Sequence, residues 1–200
     1  MIVITSPDII TDEKAIVHRL FQEGMNLLHL RKPKMSKSEL AQFISNIDKA
    51  YHPKLVMHQY YELAEDFDIR RFHITEKNRV GFYESTKKLK DKPGVVFSTS
   101  THTIEEFNRL SAVFQYAFLS PVYESISKQS YKPAHDILAS VQERANFTSR
   151  LVALGGITHK NCIVTIKSGF DDIALLGSIW NAEYPLEEFK KCFRAITNYV

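Results

Sequence analysis

A chain of 200 residues and 23.1 kDa, 44% apolar and 24% charged, has the composition of an ordinary globular domain, which excludes collagen-like, coiled-coil and disordered architectures. Twenty-six basic against 23 acidic residues leave a formal charge of +3, too balanced to call for a nucleic-acid partner, and a pI near 8.7 suits a small anionic ligand. The two cysteines, Cys162 and Cys192, make no disulfide framework and no ligand spacing. With no basic segment ahead of the first apolar run, and no run near the ~18 residues of a membrane span, the expectation is a cytoplasmic protein without a membrane partner, one domain over residues 1–200. A homo-oligomer is compatible with these numbers.

Residues 2–5, Ile-Val-Ile-Thr, are a short β-rich run closed by Ser6, Pro7 and Asp8. Thr11 and Asp12 can cap a helix carrying Ala15, Ile16, Leu20 and Phe21 at helical spacing, with Gly24 as its stop. Residues 26–30 read as the second strand. Ser36 and Glu39 then stand at capping-box spacing ahead of an apolar stripe of Leu40, Phe43, Ile44 and Ile47. Residues 54–57 are the third strand, 60–67 a short helix, 71–74 the fourth strand and 82–89 a helix. The fifth strand spans 94–97, and Thr103 with Glu106 caps the next helix. Residues 114–119 and 151–154 are strands six and seven, with helices at 134–144 and 158–167; an eighth strand at 172–176 and a helix at 185–199 end the series.

Apolar strands alternating with amphipathic helices imply a parallel sheet covered by helices. Eight such units closing on themselves make a minimal (β/α)8 barrel. An open doubly wound sheet is the competing architecture, but no Gly-rich fingerprint follows the first strand.

A parallel barrel builds its active site from the C-terminal ends of its strands. Those ends carry Arg31, Lys32 and Lys34; His58 and Gln59; Thr75, Glu76 and Asn78; Ser100 and His102; Ser120, Ser125, Ser127 and Lys128. The face is rich in cations, hydroxyls and histidines and poor in carboxylates. Three of only seven glycines follow strands seven and eight, as Gly155-Gly156-Ile157 and Gly177-Ser178-Ile179. Backbone N–H groups at that end of a barrel commonly bind phosphate. Gly155 and Gly156 making no more than a tight turn is the plainer alternative. Of eight histidines, His29 and His73 lie within strands and read as interior groups, while His18, His52 and His135 read as surface groups. His58, His102 and His159 lie beyond strand ends. No HxH or HxxxH spacing joins any two, so no zinc site is expected.

These residues resemble the thiamine-phosphate synthase/thiazole tautomerase family across essentially the whole chain. The carriers are the opening strand at 2–5, Leu28-His-Leu-Arg31, His73-Ile74, Ser100-Thr-His102, the loop Ser120-Pro-Val-Tyr-Glu-Ser-Ile-Ser-Lys128, Ala153-Leu-Gly-Gly-Ile157 and Gly177-Ser-Ile179. The resemblance implies a (β/α)8 barrel that joins an aminopyrimidine diphosphate to a thiazole phosphate and releases pyrophosphate. It implies that Arg31 and Lys128 bind diphosphate with help from Ser100. Ser125, Ser127 and Gly156 would hold the thiazole phosphate, and Ser178 and Ile179 would flank the substrates. Lys34, His58, Gln59 and Asn78 stand at further substrate-contacting positions.

The departures from the family pattern are specific. Two aspartates that hold Mg²⁺ in the synthase are Gln59 and Asn78 here. Amides bind Mg²⁺ poorly, so the ion is expected only with a diphosphate substrate, and otherwise no cofactor. The tautomerase branch, which isomerises a thiazole carboxylate phosphate without Mg²⁺, is the second implied activity. Its loop histidine is Pro121 here, leaving His58 or His102 as the acid/base. A non-catalytic binder of thiazole phosphate or thiamin phosphate is the third reading.

Overall fold

The computed structural model describes residues 1–79, 81–82, 92–124 and 136–199. Eight parallel strands form a closed barrel in chain order: β1 Ile2–Ile4, β2 Leu27–Leu30, β3 Leu55–Met57, β4 Arg71–Ile74, β5 Val96–Thr101, β6 Phe114–Leu119, β7 Arg150–Leu154 and β8 Asp172–Leu175. Closure is made by β1 against β8, with Ile2 opposite Ala174 and Val3 opposite Leu175, which excludes the open sheet. Around the barrel lie α1 Glu13–Gln22, α2 Lys37–Ser45, α3 Glu76–Arg79, α4 Ile104–Asn108, α5 Ile137–Ser140, α6 Cys162–Lys167, α7 Gly177–Trp180 and α8 Pro185–Thr197. None of the described helices is long and apolar enough to cross a membrane.

Period-2 alternation sorts each strand's side chains between two cores. Val3, Leu28, Met57, Phe72, Phe97, Leu119, Leu151 and Ile173 face the helices and join their apolar stripes. Ile2, Ile4, Val96, Tyr116, Phe118, Val152 and Ala174 fill the barrel. The expected capping box is present: the Ser36 hydroxyl accepts from the Glu39 N–H, and the Glu39 carboxylate accepts from the Ser36 N–H at 2.7 Å. The Thr103 hydroxyl caps α4 by accepting from the Glu106 N–H, while the Glu106 carboxylate accepts from the His102 N–H at 2.9 Å. Asp12 precedes α1 as expected, but with φ 57° and no side-chain cap bond.

Several elements differ from expectation for identifiable reasons. β5 continues through Ser98-Thr-Ser-Thr101, a run that reads as loop because it is polar. Its threonines bond within the sheet, Thr99 Oγ1 to the Ile74 carbonyl at 2.7 Å and Thr101 Oγ1 to the Phe118 carbonyl at 3.1 Å. The helix expected from Thr158 begins only at Cys162, because the Asn161 side chain closes a turn on the Thr158 N–H at 2.8 Å. The helix expected at 60–67 is a single 3-10 turn, Tyr61–Ala64. The one expected at 134–144 is α5 with a 3-10 turn, Val141–Glu143, while 134–135 lie outside the described residues. Of the helix expected at 82–89, only Phe82 is described. The turn α7 was not expected; the Trp180 indole N–H anchors it to the Ile4 carbonyl at 2.7 Å.

The loops after β1 and β2 are tied together by a buried ion pair. Lys32 Nζ lies 2.5 Å from Glu13 Oε2, and also donates to the Asp8 carbonyl at 2.9 Å. Burial pushes the Glu13 carboxyl up and the Lys32 hydrogen bond opposes it. Lys32→Met alone would leave a buried carboxylate unpaired. It should lower unfolding free energy by about 3–5 kcal/mol in urea melts, and Lys32→Met with Glu13→Leu should recover much of that. A single variant as stable as the parent would show that the pair is solvated.

Candidate functional site

The C-terminal ends of the strands surround a cavity of about 490 Å³. Arg31, immediately after β2, lines it, and its backbone is fixed by Thr5: the Arg31 N–H donates to Thr5 Oγ1 at 2.8 Å, and that hydroxyl donates to the Arg31 carbonyl at 3.1 Å. Among the described residues no carboxylate pairs with the Arg31 guanidinium. His102 also lines the cavity, with its Nδ1 2.7 Å from the Ser120 carbonyl and its Nε2 3.3 Å from Glu76 Oε2. Nδ1–H therefore donates to the carbonyl, which turns Nε2 toward Glu76.

Below Arg31 the barrel holds a chain of imidazoles and hydroxyls. His29 Nδ1 lies 3.0 Å from His58 Nε2, and His29 Nε2 lies 2.8 Å from the Tyr116 hydroxyl. His73 Nδ1 is 3.0 Å from Ser98 Oγ, its Nε2 is 3.1 Å from Ser100 Oγ, and its ring stacks on His58 with centroids 4.3 Å apart. Burial is the main cause holding all three histidines below the ordinary imidazole value, His73 at about 3, so all are neutral near pH 7. Burial likewise pushes Tyr116 up to about 12. The sequence search for metal spacing missed this cluster because its members come from β2, β4 and the end of β3.

The opposite part of the rim is apolar and glycine-rich. Leu154, Gly155, Gly156, Leu176, Gly177 and Ser178 line the cavity there. Gly155 and Gly156 have φ of 103° and 65°, and a Cβ on Gly156 would stand 2.4 Å from the Glu124 carbonyl oxygen and 2.7 Å from Tyr123 Cβ. The tight turn is therefore real: glycine is required there by backbone conformation and by the packing of 121–124. That packing is held by Val122 N–H on the Leu154 carbonyl at 3.0 Å and Tyr123 N–H on the Gly155 carbonyl at 3.1 Å. Ser178 Oγ is buried without a hydrogen-bond partner. Gly177 and Ser178 open α7, where the first N–H groups have no helical acceptor.

Arg31, His58, Ser100, His102, Gly155, Gly156, Gly177 and Ser178 line one cavity. Lys34, Gln59, Asn78 and Ile179 do not line it. Lys34 is exposed and pairs with Asp8 at 2.6 Å. Gln59 turns its amide nitrogen to the Lys32 carbonyl at 2.8 Å. Asn78 is exposed on α3, and Ile179 is fully buried. Ser125, Ser127, Lys128 and His135 lie outside the described residues. His52, expected at the surface, is buried between the Phe67 and Ile47 carbonyls, each at 3.1 Å. Thr75, Glu76 and Ser120, named among the strand ends, also line the cavity, whereas Lys77 and Phe118 are cavity residues that sequence reasoning did not select. The oxygen donors do not fit a Mg²⁺ ion held by the protein alone. Glu76 is the one described carboxylate lining the cavity, and it faces His102.

The family model described as thiamine monophosphate synthase matches residues 1–179. A thiamine-phosphate synthase of Anoxybacillus flavithermus is 24% identical over 203 residues, covering 97% of this chain and 91% of that protein. One of Geobacillus kaustophilus is 28% identical over 153 residues, 74% of this chain and 66% of that protein. The crystal structure of a thiamine phosphate pyrophosphorylase from Bacteroides thetaiotaomicron has a TM-score of 0.76 at 26% identity, over 98% of this chain and 97% of that one. A thiamine phosphate pyrophosphorylase from Pyrococcus furiosus, 15% identical with a TM-score of 0.81 over 100% and 96% of the two chains, has the same fold.

The neutral imidazoles make stability pH-dependent. As pH falls from the ordinary imidazole pKa near 6.5 toward about 3, the unfolded chain takes up protons that folded His73 refuses. Stability contributed by His73 is therefore full above pH ~6.5 and is lost on acidification, by up to about 1.4 kcal/mol per pH unit for each such histidine. Urea midpoints in chelator-treated buffer should fall between pH 7 and pH 5, with a shallower slope in His73→Gln. A parental profile flat across that window would mean that the cluster is solvated.

Proposed function

The chain belongs to the thiamine monophosphate synthase family, and on that premise we propose that it joins an aminopyrimidine diphosphate to a thiazole phosphate in this cavity. The carrying observation is an Arg31 guanidinium without a carboxylate partner among the described residues, sharing one cavity with the Gly155–Gly156 and Gly177–Ser178 segments. A cavity with cationic and backbone-donor walls and a single described carboxylate suits two phosphorylated ligands. In the reaction, the bond between the pyrimidine methylene carbon and the diphosphate oxygen breaks, and its electron pair leaves on the diphosphate. The thiazole nitrogen lone pair then forms the new C–N bond. Negative charge grows on the departing diphosphate, where Arg31 and the Ser100 hydroxyl stabilise it. The thiazole phosphate is held by N–H groups near Gly156 and Ser178, with Ser178 Oγ finding its missing partner there. By family resemblance, Ser125, Ser127 and Lys128 complete the two anion sites. The residues lining the cavity would not hold Mg²⁺ by themselves, so any such ion would depend on the diphosphate substrate.

Arg31→Ala should lower kcat/KM for both substrates together by about 10²–10³-fold, followed as product and pyrophosphate release. Turnover unchanged in Arg31→Ala would place the diphosphate elsewhere, and interconversion of thiazole isomers without coupling would support the tautomerase chemistry instead. Mg²⁺ titrated into the free protein should show no saturable micromolar uptake, because Gln59 and Asn78 replace acids. Such uptake, abolished by Glu76→Gln, would contradict the oxygen-donor reading.

A further inference from the structure

His29, His58 and His73 lie on adjacent elements of the barrel and face one another. Met57 pairs with Phe72 in register, which places His58 level with His73. Leu28 pairs with Leu55 and Leu30 with Met57, which brings His29 just beneath. Each of the three offers a nitrogen, and these nitrogens all lie within 4.8 Å of one another. We propose that His29, His58 and His73 form a site for a late first-row transition-metal ion of the Zn²⁺ or Co²⁺ class, with one coordination position open to the cavity.

The arrangement supports this in four ways. The outer nitrogens are already held, His29 Nε2 by Tyr116 and His73 Nδ1 by Ser98. Such outer hydrogen bonds orient metal-binding imidazoles. The remaining nitrogens are His29 Nδ1 and His58 Nε2, which face each other, and His73 Nε2, which faces Ser100. Ligand nitrogens in a tetrahedral zinc site stand roughly 3.4 Å apart, from Zn–N distances of about 2.0–2.1 Å. The His29–His58 separation of 3.0 Å is close to that, and a shared ion requires the stacked His58 or His73 ring to turn its nitrogen toward the others.

Second, binding requires no net proton loss. If Tyr116 accepts from His29 Nε2–H, then His29 Nδ1 carries a lone pair and accepts from His58 Nε2–H. Metal entry shifts the His58 proton to Nδ1 and frees Nε2. His73, donating from Nδ1–H to Ser98, keeps its Nε2 lone pair, which the Ser100 hydroxyl meets at 3.1 Å. Third, His58, His73 and Ser100 line the cavity, so an ion bound here is reachable by solvent or by a phosphate oxygen. Fourth, no carboxylate belongs to the cluster and Arg31 lies close by. A site of neutral nitrogens beside a cation selects a metal with intrinsic affinity for imidazole, and rejects Mg²⁺ or Ca²⁺, which depend on anionic oxygen. This inference stands apart from the synthase reading, and the Arg31 result is unaffected by its outcome.

The test uses tag-free, chelator-stripped full chain. Co²⁺ titration should give one ion per chain, with visible absorption of a four- or five-coordinate nitrogen site that added Zn²⁺ abolishes, and Zn²⁺ should raise Tm. Both signals should vanish in His58→Gln and in His29→Gln. Tyr116→Phe should weaken Co²⁺ binding roughly 10-fold, because the His29 ring loses its anchor. His18→Gln and His159→Gln, on histidines outside the cluster, should bind as the parent does. Lack of stoichiometric Co²⁺ uptake by the folded parent overturns the proposal. So does uptake that persists in folded His58→Gln. His58 is only partly buried, so this variant decides the matter even if His29→Gln fails to fold.

Discussion

Closing eight parallel strands into a barrel sends every second side chain into an interior that water enters only from the ends, and the rest of this molecule depends on how those inward residues satisfy each other. On β7, β8 and β1 they include the apolar Val152, Ala174, Ile2 and Ile4. From β2 to β6 they include His29, His58, His73, Ser98, Ser100 and Tyr116, joined by hydrogen bonds of 2.8–3.1 Å, beside the apolar Val96 and Phe118. An unpaired polar group in such an interior is destabilising, so each imidazole is neutral and keeps a specific partner. The result is an interior in which a polar network is packed among apolar side chains, with the cavity at the C-terminal ends of the strands.

Alternation also separates the fates of adjacent cations. Arg31 and Lys32 are consecutive, yet one side chain lines the cavity and the other points away from it. Lys32 is 1% exposed, neutralised by Glu13 and laid over the Phe43 ring, and it serves to fix the loops after β1 and β2. Arg31 keeps its charge available. That division lets one short basic segment stabilise the rim and leave a cation facing the cavity.

The second wall is built by packing. Pro121 to Glu124 lie so close to Gly155 and Gly156 that no Cβ fits, and two backbone hydrogen bonds join the segments. Thr165 on α6 meets the Tyr123 hydroxyl at 3.0 Å, which braces the same loop from outside. The loop after β6 therefore leaves the barrel on a path set by β7. Trp180, reaching from α7 to the Ile4 carbonyl, sets the position of Ser178 from the opposite side. Both glycine-containing rim segments are thus held in part by Tyr123, Thr165 and Trp180, none of which lines the cavity.

The sequence by itself determined the architecture and the order of its parts. Period-2 runs with intervening amphipathic stripes are local signals, and β4 and β6 are legible to their end residues. Ser36 with Glu39 and Thr103 with Glu106 are legible for the same reason, since a cap is a contact across three residues. β5 reads short because its polar end is satisfied only by carbonyls on β4 and β6. The placement of Arg31, Ser100, Gly156 and Ser178 on one rim is legible through strand order and family motif, since every strand end in a parallel barrel faces the same way. Tertiary structure alone decided which cations are paired. Lys32 and Lys34 find carboxylates on the segments after β1, and nothing in the local sequence marks those partners. It alone brought His29, His58 and His73 together, because barrel closure and strand register place neighbouring strands side by side whatever their separation along the chain.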